Sequence, residues 1–170
     1  MLPNNQSRVG AIQIYESVKE DILYSLPLSW RTSEYTGHSK RGHCGAKAEL
    51  LALRLREHGY TVRYVVGYRV GGLPRFLRPA FLDCHIWCEV LVDGEWLVLD
   101  PTPDRVIAQL CEDTEPGTHQ YRPDYIERID SISPWYKDVY NSPLILPYKV
   151  FVNAALSLYR LWKKIRVVNH

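Results

Sequence analysis

The sequence lacks several features that would assign a protein to a class at once. Its 170 residues carry a formal net charge of only +2, which gives no argument for nucleic-acid binding. No apolar run approaches the roughly 20 residues that span a bilayer, so we expect no membrane span. The first residues are polar, without the pattern of a secretory signal. Repeats and low-complexity tracts are absent too, and one domain over residues 1–170 is expected.

The spacing of the four cysteines argues against disulfides and against zinc. Cys84 and Cys88 lie on the apolar face of one predicted strand, where four residues extend about 13 Å, too far for a disulfide. His85 points to the other face, and no further pair of closely spaced cysteines exists, so no metal is predicted. Cys84 and Cys88 are therefore expected in the core. We expect reduced thiols, including Cys111, and a cytoplasmic protein without a cofactor.

Apolar residues at helical spacing predict three helices. The first follows a stripe from Ala11 to Ile22, and the second begins near Cys44 and ends at Gly59, a residue suited to a helix C-terminus. The third covers about residues 148–167 and has a basic face. Its apolar stripe consists of Phe151, Ala154, Ala155, Leu158, Trp162 and Ile165. We expect this stripe to pack on the domain, and binding to a partner or a membrane surface is the less favoured alternative.

Runs of β-branched and aromatic residues predict the strands. They cover residues 61–68, 84–92 and 95–100. Asp93-Gly94, between the last two, is a strong signal for a two-residue hairpin turn. The segments 28–40 and 101–147 are rich in polar residues or proline and are predicted to be irregular. Two helices followed by several strands indicate an α+β domain with an antiparallel sheet.

Cys44 has the surroundings expected of a reactive thiol. It opens the second helix, where unpaired backbone N–H groups stabilise a thiolate and can hold an oxyanion. Gly42 and Gly45 on either side leave room for a substrate to approach the sulfur. Taken alone, Cys44 also fits a small buried residue that happens to start a helix. The neighbouring His43 has no comparable constellation and is expected to be exposed, like the other remaining histidines.

The predicted hairpin brings a histidine close to a carboxylate. A turn at Asp93-Gly94 pairs Trp87 with Asp100 and places His85 on the same face, about 7 Å away along a diagonal. A carboxylate there would orient the imidazole and stabilise its cation, as in a nucleophile–base–orienter triad. Without Cys44, the pair would be explained better as a surface histidine beside an aspartate that ends a strand.

These residues resemble, in the same order, the motifs of the transglutaminase-like superfamily. Arg41-Gly42-His43-Cys44 looks like the nucleophile motif at a helix start. The segment 59–68 is similar to the Gly-hydrophobic-Pro-Ala-Arg-hydrophobic-Val-x-Gly-Tyr stretch, although Tyr60-Thr61-Val62 departs from the usual Pro-Ala. The segment 85–90 resembles His-x-Trp-x-Glu-Val, and residues 96–102 resemble the Trp…Asp-Pro-Thr ending. The resemblance covers about residues 30–104.

The resemblance implies a papain-like fold in which Cys44, His85 and Asp100 form a catalytic triad. It implies acyl transfer from amide or peptide bonds through a thioester, with a peptide, protein or other amide as substrate. The missing EF-hand-like acidic loop favours a peptidase or amidohydrolase over cross-linking. Trp30 is the candidate for the oxyanion-hole partner that the family often supplies. The alternative is a catalytically silent binding or scaffolding module, against which the intact triad argues.

Overall fold

A computed structural model describes residues 7–68, 84–103 and 125–168 of the chain. The elements in chain order are α1 (Arg8–Asp21), β1 (Leu23–Tyr24), α2 (Ser33–Ser39), β2 (Arg41–Gly42), α3 (Cys44–Glu57), β3 (Thr61–Tyr68), β4 (Cys84–Val92), β5 (Glu95–Leu99), β6 (Tyr125–Ile129), α4 (Pro134–Asn141), a 3₁₀ turn (Pro143–Ile145) and α5 (Leu146–Val168). Cys111 and much of the stretch predicted to be irregular lie outside the described residues.

Four strands form the main sheet in the order β5-β4-β3-β6, and every neighbouring pair is antiparallel. β3 pairs with β4 along its whole length, from Thr61 opposite Leu91 to Tyr68 opposite Cys84. A separate parallel pair of two-residue strands, β1 and β2, joins the start of the chain to the segment before α3. Helices packed on an antiparallel sheet confirm the predicted α+β class.

The β4–β5 hairpin has the predicted two-residue turn. Asp93 and Gly94 have φ angles of 52° and 83°, the left-handed values that a type I′ turn requires at both positions. Val92 pairs with Glu95 at the base of the turn, as predicted. This short connection fixes the register of β5 against β4, and the register decides which side chains share a face.

The hairpin ladder ends one pair earlier than predicted. Its last pair joins Cys88 and Leu99, so Trp87 and Asp100 do not pair as strand residues. Asp100 instead begins a turn, in which its Oδ1 accepts a hydrogen bond of 3.0 Å from the backbone N–H of Thr102. An aspartate that bonds to the backbone two residues onward competes with the strand and ends it.

The core lies around α3, which contacts α1, α2, β3 and β4. Its buried side chains include Leu51 and Leu55, both inaccessible to solvent, and they meet strand residues such as Val90 and Leu99. The predicted stripe of α1 is largely buried. Cys88 is fully buried, as predicted, and its Sγ donates to Ala48 O at 3.3 Å.

Two segments that the sequence predicted to be irregular contain regular structure. The first holds α2, which begins at a Thr32 cap whose side chain accepts from Tyr35 N at 3.2 Å. Thr36 in this helix is fully buried, so tertiary packing sustains a seven-residue helix that its polar composition did not indicate. The second holds α4, for which Ser133-Pro134 is a recognisable start signal.

β6 is a further element missing from the prediction, and an ion-pair cluster connects it to β3 and β4. Glu89 on β4 is 5% exposed and accepts from Arg63 on β3 and Arg128 on β6, at 2.7 Å and 3.0 Å. Glu and Arg at the centre of a five-residue strand weaken its apolar alternation, which hid β6 from a periodicity search.

Helix α5 has nearly the predicted span but not the predicted orientation. Phe151 and Leu158 of its apolar stripe are 72% and 68% exposed, and Trp162 is 44% exposed. Asn153 attaches the helix instead, since its amide accepts from Leu26 N at 2.9 Å and donates to Leu26 O at 2.7 Å. The expectation that the apolar stripe packs on the domain is therefore wrong. Within the described part of the chain, no helix is long and apolar enough to cross a membrane.

Candidate active site

The structure brings Cys44, His85 and Asp100 together from three elements. Cys44 is the first residue of α3, His85 lies near the start of β4, and Asp100 directly follows β5. His85 Nε2 and Asp100 Oδ2 are 2.6 Å apart, a short charge-assisted hydrogen bond. His85 also shares a hydrogen bond with the Cys44 side chain. With Nε2 bound to Asp100, Nδ1 is the ring nitrogen left for the sulfur.

The imidazole and the carboxylate stabilise each other's charged forms. Burial alone would lower the pKa of His85, but the charge and hydrogen bond of Asp100, with the contact to Cys44, raise it to about 10. Burial alone would raise the pKa of Asp100, but the positive charge and hydrogen bond of His85 and the hydrogen bonds from Thr102 lower it to about 2. Near neutral pH the pair is therefore an imidazolium and a carboxylate.

The Cys44 thiol is acidic because two imidazoles act on it. Burial would raise its pKa, but hydrogen bonds with His43 and His85, together with the positive charge of His85, lower the pKa to about 5. The start of α3 adds partial positive charge at the same place. Burial instead raises the pKa of the Cys84 and Cys88 thiols. Cys44 is thus a thiolate near neutral pH, whereas Cys84 and Cys88 stay protonated.

His43 is part of this site, although the sequence suggested an exposed residue. It is 2% exposed and caps α3, with Nδ1 accepting from the backbone N–H of Gly45 at 3.2 Å. Its ring is stacked on Tyr140 with centroids 4.2 Å apart, and it meets the Trp30 ring in an edge-to-face arrangement with centroids 4.4 Å apart. The position directly before a predicted nucleophile, at a helix cap, was the signal that could have identified it.

The Trp30 indole covers the first turn of α3, and its N–H group already has a hydrogen-bond partner. Its Nε1 donates to Glu49 Oε2 at 2.8 Å, and the other oxygen of Glu49 pairs with Lys137 at 2.7 Å. A Cβ at Gly45 would collide with the Trp30 ring, so the glycine is required for close packing rather than for substrate access alone. With its N–H bound to Glu49, Trp30 does not offer the oxyanion donor suggested by the sequence.

A small cavity of about 90 Å³ opens beside Cys44. Its walls are mostly apolar and aromatic, and the C-terminal segment supplies Tyr140, Ile145 and Tyr148. Cys84 also lines this cavity; it is partly buried and packs against the core, so it lies at the edge of the predicted core rather than inside it. Among residues 7–68, 84–103 and 125–168, no three His, Cys, Asp or Glu side chains are grouped as a metal site.

Comparison with known proteins identifies the family of the chain. The family model of the transglutaminase-like superfamily matches residues 3–101, which include Cys44, His85 and Asp100. The chain belongs to this superfamily. The match also includes α1, which lies before the start of the resemblance at about residue 30. Membership confirms the predicted fold and a place among cysteine enzymes.

One solved structure is similar in part. It is a candidate cysteine protease from Cytophaga hutchinsonii, with 22% sequence identity and a TM-score of 0.44 over 54% of this chain. This chain spans 30% of that protein's length. No curated protein matches the sequence.

Proposed function

We propose that this protein is a cysteine-dependent acyl-transfer enzyme that acts on amide or peptide bonds. The observation that carries the proposal is the linked set of Cys44, His85 and Asp100, in which His85 bonds to Asp100 at 2.6 Å and the pKa of the thiol is lowered to about 5. Thiol acyl transfer uses a nucleophile and a base, and a third group that orients the base completes the arrangement.

In the first half-reaction, the Cys44 thiolate attacks the carbonyl carbon and the carbonyl electrons move to oxygen. The tetrahedral intermediate then collapses, the C–N bond breaks, and the His85 imidazolium gives its proton to the leaving amine. A thioester remains on Cys44. Asp100 keeps the imidazole in the tautomer whose free nitrogen faces the sulfur, and it stabilises the imidazolium in the resting enzyme.

In the second half-reaction, neutral His85 takes a proton from water, and the hydroxide attacks the thioester. The acid leaves and the thiolate–imidazolium pair is restored. The cavity beside Cys44 is small, with a volume of about 90 Å³, which favours water over a long amine as acceptor. We therefore favour a peptidase or amidohydrolase over a cross-linking enzyme. The mechanism needs a reduced thiol, which fits the predicted cytoplasmic location.

Trapping the thioester tests the proposal. The protein is incubated with a mixture of short peptides and quenched in acid, and adducts are located by intact mass and peptide mapping. We expect peptide-derived thioesters on Cys44 and cleavage products, both absent in Cys44→Ala. Cys88→Ala is the matched control and should keep both per folded molecule. The proposal is wrong if no adduct forms and iodoacetamide labels Cys44 no faster than Cys88 in the native protein.

A further inference from the structure

Acyl transfer by Cys44 creates a charge that the triad does not bind. When the thiolate attacks, negative charge moves to the carbonyl oxygen, and a fixed hydrogen-bond donor at that oxygen lowers the barrier. The Trp30 indole N–H is bound to Glu49, and the Gly45 backbone N–H is bound to His43. A further side-chain donor beside Cys44 would add to the backbone N–H groups of the first turn of α3.

The hydrogen bond from Gly45 fixes the tautomer of His43. Nδ1 accepts that bond at 3.2 Å, so it carries no proton, and the ring proton must be on Nε2. Nε2 is buried, and among the described residues it has no nitrogen or oxygen partner, so its interaction with the Cys44 sulfur is the one that remains for it. A buried donor with only a sulfur acceptor needs an explanation, because sulfur is a poorer acceptor than oxygen.

The surroundings of His43 hold this donor in one position. The ring is stacked on Tyr140 and meets the edge of Trp30, and its other nitrogen is anchored to α3. His43 lines the same cavity as Cys44 and lies close enough to the sulfur to lower the pKa of the thiol. In the tetrahedral intermediate the oxygen and the sulfur are bonded to the same carbon. A donor that lies beside the sulfur is therefore also close to the oxygen.

We propose that His43 is a catalytic residue whose Nε2–H donates a hydrogen bond to the oxyanion formed when Cys44 attacks the substrate carbonyl. The inference rests on the proposed function. No proton leaves His43 in this step, because charge passes from sulfur to oxygen and the hydrogen bond follows it. Since the ring is already fixed, little reorganisation accompanies the reaction, which is the condition under which such donors are most effective.

Two probes of Cys44 separate this role from a structural one. p-Nitrophenyl acetate acylates a thiolate through a tetrahedral oxyanion, whereas iodoacetamide alkylates it by displacement at a saturated carbon, where no oxyanion forms. Both rates are measured for each variant on the pH plateau at which its thiol is fully ionised. This choice of pH removes the effect of His43 on the pKa of Cys44.

Three substitutions at His43 separate its role as a helix cap from its proposed role as a hydrogen-bond donor. His43→Phe keeps an aromatic ring but has no donor, and His43→Asn keeps a good helix cap but is too short to reach the oxyanion. His43→Gln has an oxygen that can accept from Gly45 and an N–H that can donate. We expect His43→Phe and His43→Asn to slow acylation by about 100-fold while alkylation changes by less than about threefold. His43→Gln should restore most of the acylation rate, and His38→Phe, at an exposed histidine of α2, should change neither rate.

The outcomes distinguish this inference from the proposed function. If p-nitrophenyl acetate does not acylate Cys44 in the wild-type protein, the proposed function fails. If it does, but folded His43→Asn is acylated at the wild-type rate, the assignment of His43 is wrong. An equal loss of acylation and alkylation would also overturn it, because His43 would then only support α3. Thermal unfolding of each variant shows which of them are folded, and His43→Asn decides the matter if His43→Phe is not.

Discussion

Two segments of the molecule are held in place in different ways. One runs from Cys44 to Leu99, and the other runs from Pro134 to Val168. In the first, α3 and the strands bury apolar side chains such as Leu51 and Leu55. In the second, α5 leaves the apolar Leu158 exposed and is held by polar side chains. Asn153 bonds to both backbone groups of Leu26, Lys149 donates to Leu28 O at 2.8 Å, and Arg160 donates to Tyr24 O at 2.7 Å.

The two segments also contribute differently to the candidate site. Cys44 and His85 come from the first segment and Asp100 follows its last strand, so the proposed reacting groups sit on the closely packed core. The second segment contributes walls of the cavity, among them Tyr140 and Tyr148. Close packing restricts movement, whereas attachment through a few hydrogen bonds permits local opening. We infer that the geometry of the chemistry is fixed more firmly than the shape of the substrate cavity.

The largest effect should come from the Asp100 carboxylate, which directly follows the first segment. Asp100→Asn should lower turnover by roughly 10³–10⁴-fold, because the amide favours the wrong tautomer of His85 and does not stabilise its cation. Asp138→Asn, at an exposed position on α4, is the control and should have no effect. Steady-state hydrolysis or p-nitrophenyl acetate acylation provides the measurement. If Asp100→Asn keeps more than about a tenth of the activity, the triad is not the source of the chemistry.

The next effect concerns the acidity of the nucleophile. The pKa of Cys44 is lowered to about 5, so its alkylation by iodoacetamide should stay constant from alkaline pH down to about pH 6 and fall as pH drops through the pKa. His85→Ala removes one hydrogen bond and one positive charge, so the pKa should rise towards the ordinary thiol value. At about pH 7 the rate should then fall by at least about tenfold. A pH curve unmoved by His85→Ala would contradict the thiolate–imidazolium pair.

Stability should differ between the two segments for the same substitution. Leu51→Ala removes a fully buried side chain from α3 and should lower the free energy of unfolding by about 2–5 kcal/mol. Leu158→Ala, at a position 68% exposed on α5, should change it by less than about 0.5 kcal/mol. Urea unfolding monitored by circular dichroism compares the two. A large loss for Leu158→Ala would mean that this face of α5 is covered in solution.

The last effect should be local to the attachment of α5. Asn153→Ala removes two hydrogen bonds to Leu26 and leaves backbone groups without those partners, at a cost of about 1–3 kcal/mol. The amide of Leu26 should then exchange with solvent faster, whereas that of Val65 in β3 should be little affected. Ser157→Ala, one turn further along α5, is the control. Unchanged exchange at Leu26 would show that other contacts hold the helix.

Local signals account for what the sequence predicted well. Asp93-Gly94 allows a type I′ turn, and that turn fixes which side chains of β4 and β5 share a face. The contact between His85 and Asp100 could therefore be predicted from the sequence. Gly59 has φ 85° at the end of α3, as expected of a stop signal, and Cys44 opens that helix. In each case the information lies within a few residues of the feature it predicts.

Long-range packing accounts for what the sequence did not reveal. The burial of His43 depends on Trp30 and on Tyr140, and neither lies near it in the chain. The orientation of α5 depends on backbone groups of residues 23–28, which bind polar side chains of the helix. A search for apolar periodicity finds the most apolar face of a helix but contains no information about distant backbone groups. It therefore selected the wrong face for packing.

The turn at Asp93-Gly94 bears on the order of events during folding. Only 15 positions separate His85 from Asp100, and a hairpin of this kind closes in about 1–10 µs. Cys44 reaches them only when α3 docks, which closes a much longer loop at a greater entropic cost. We expect the base and its carboxylate to meet first, while the thiol keeps its ordinary acidity. Pulsed alkylation during refolding should therefore label Cys44 rapidly only in the final phase. The newly made chain would then carry no activated thiolate while it is still unfolded.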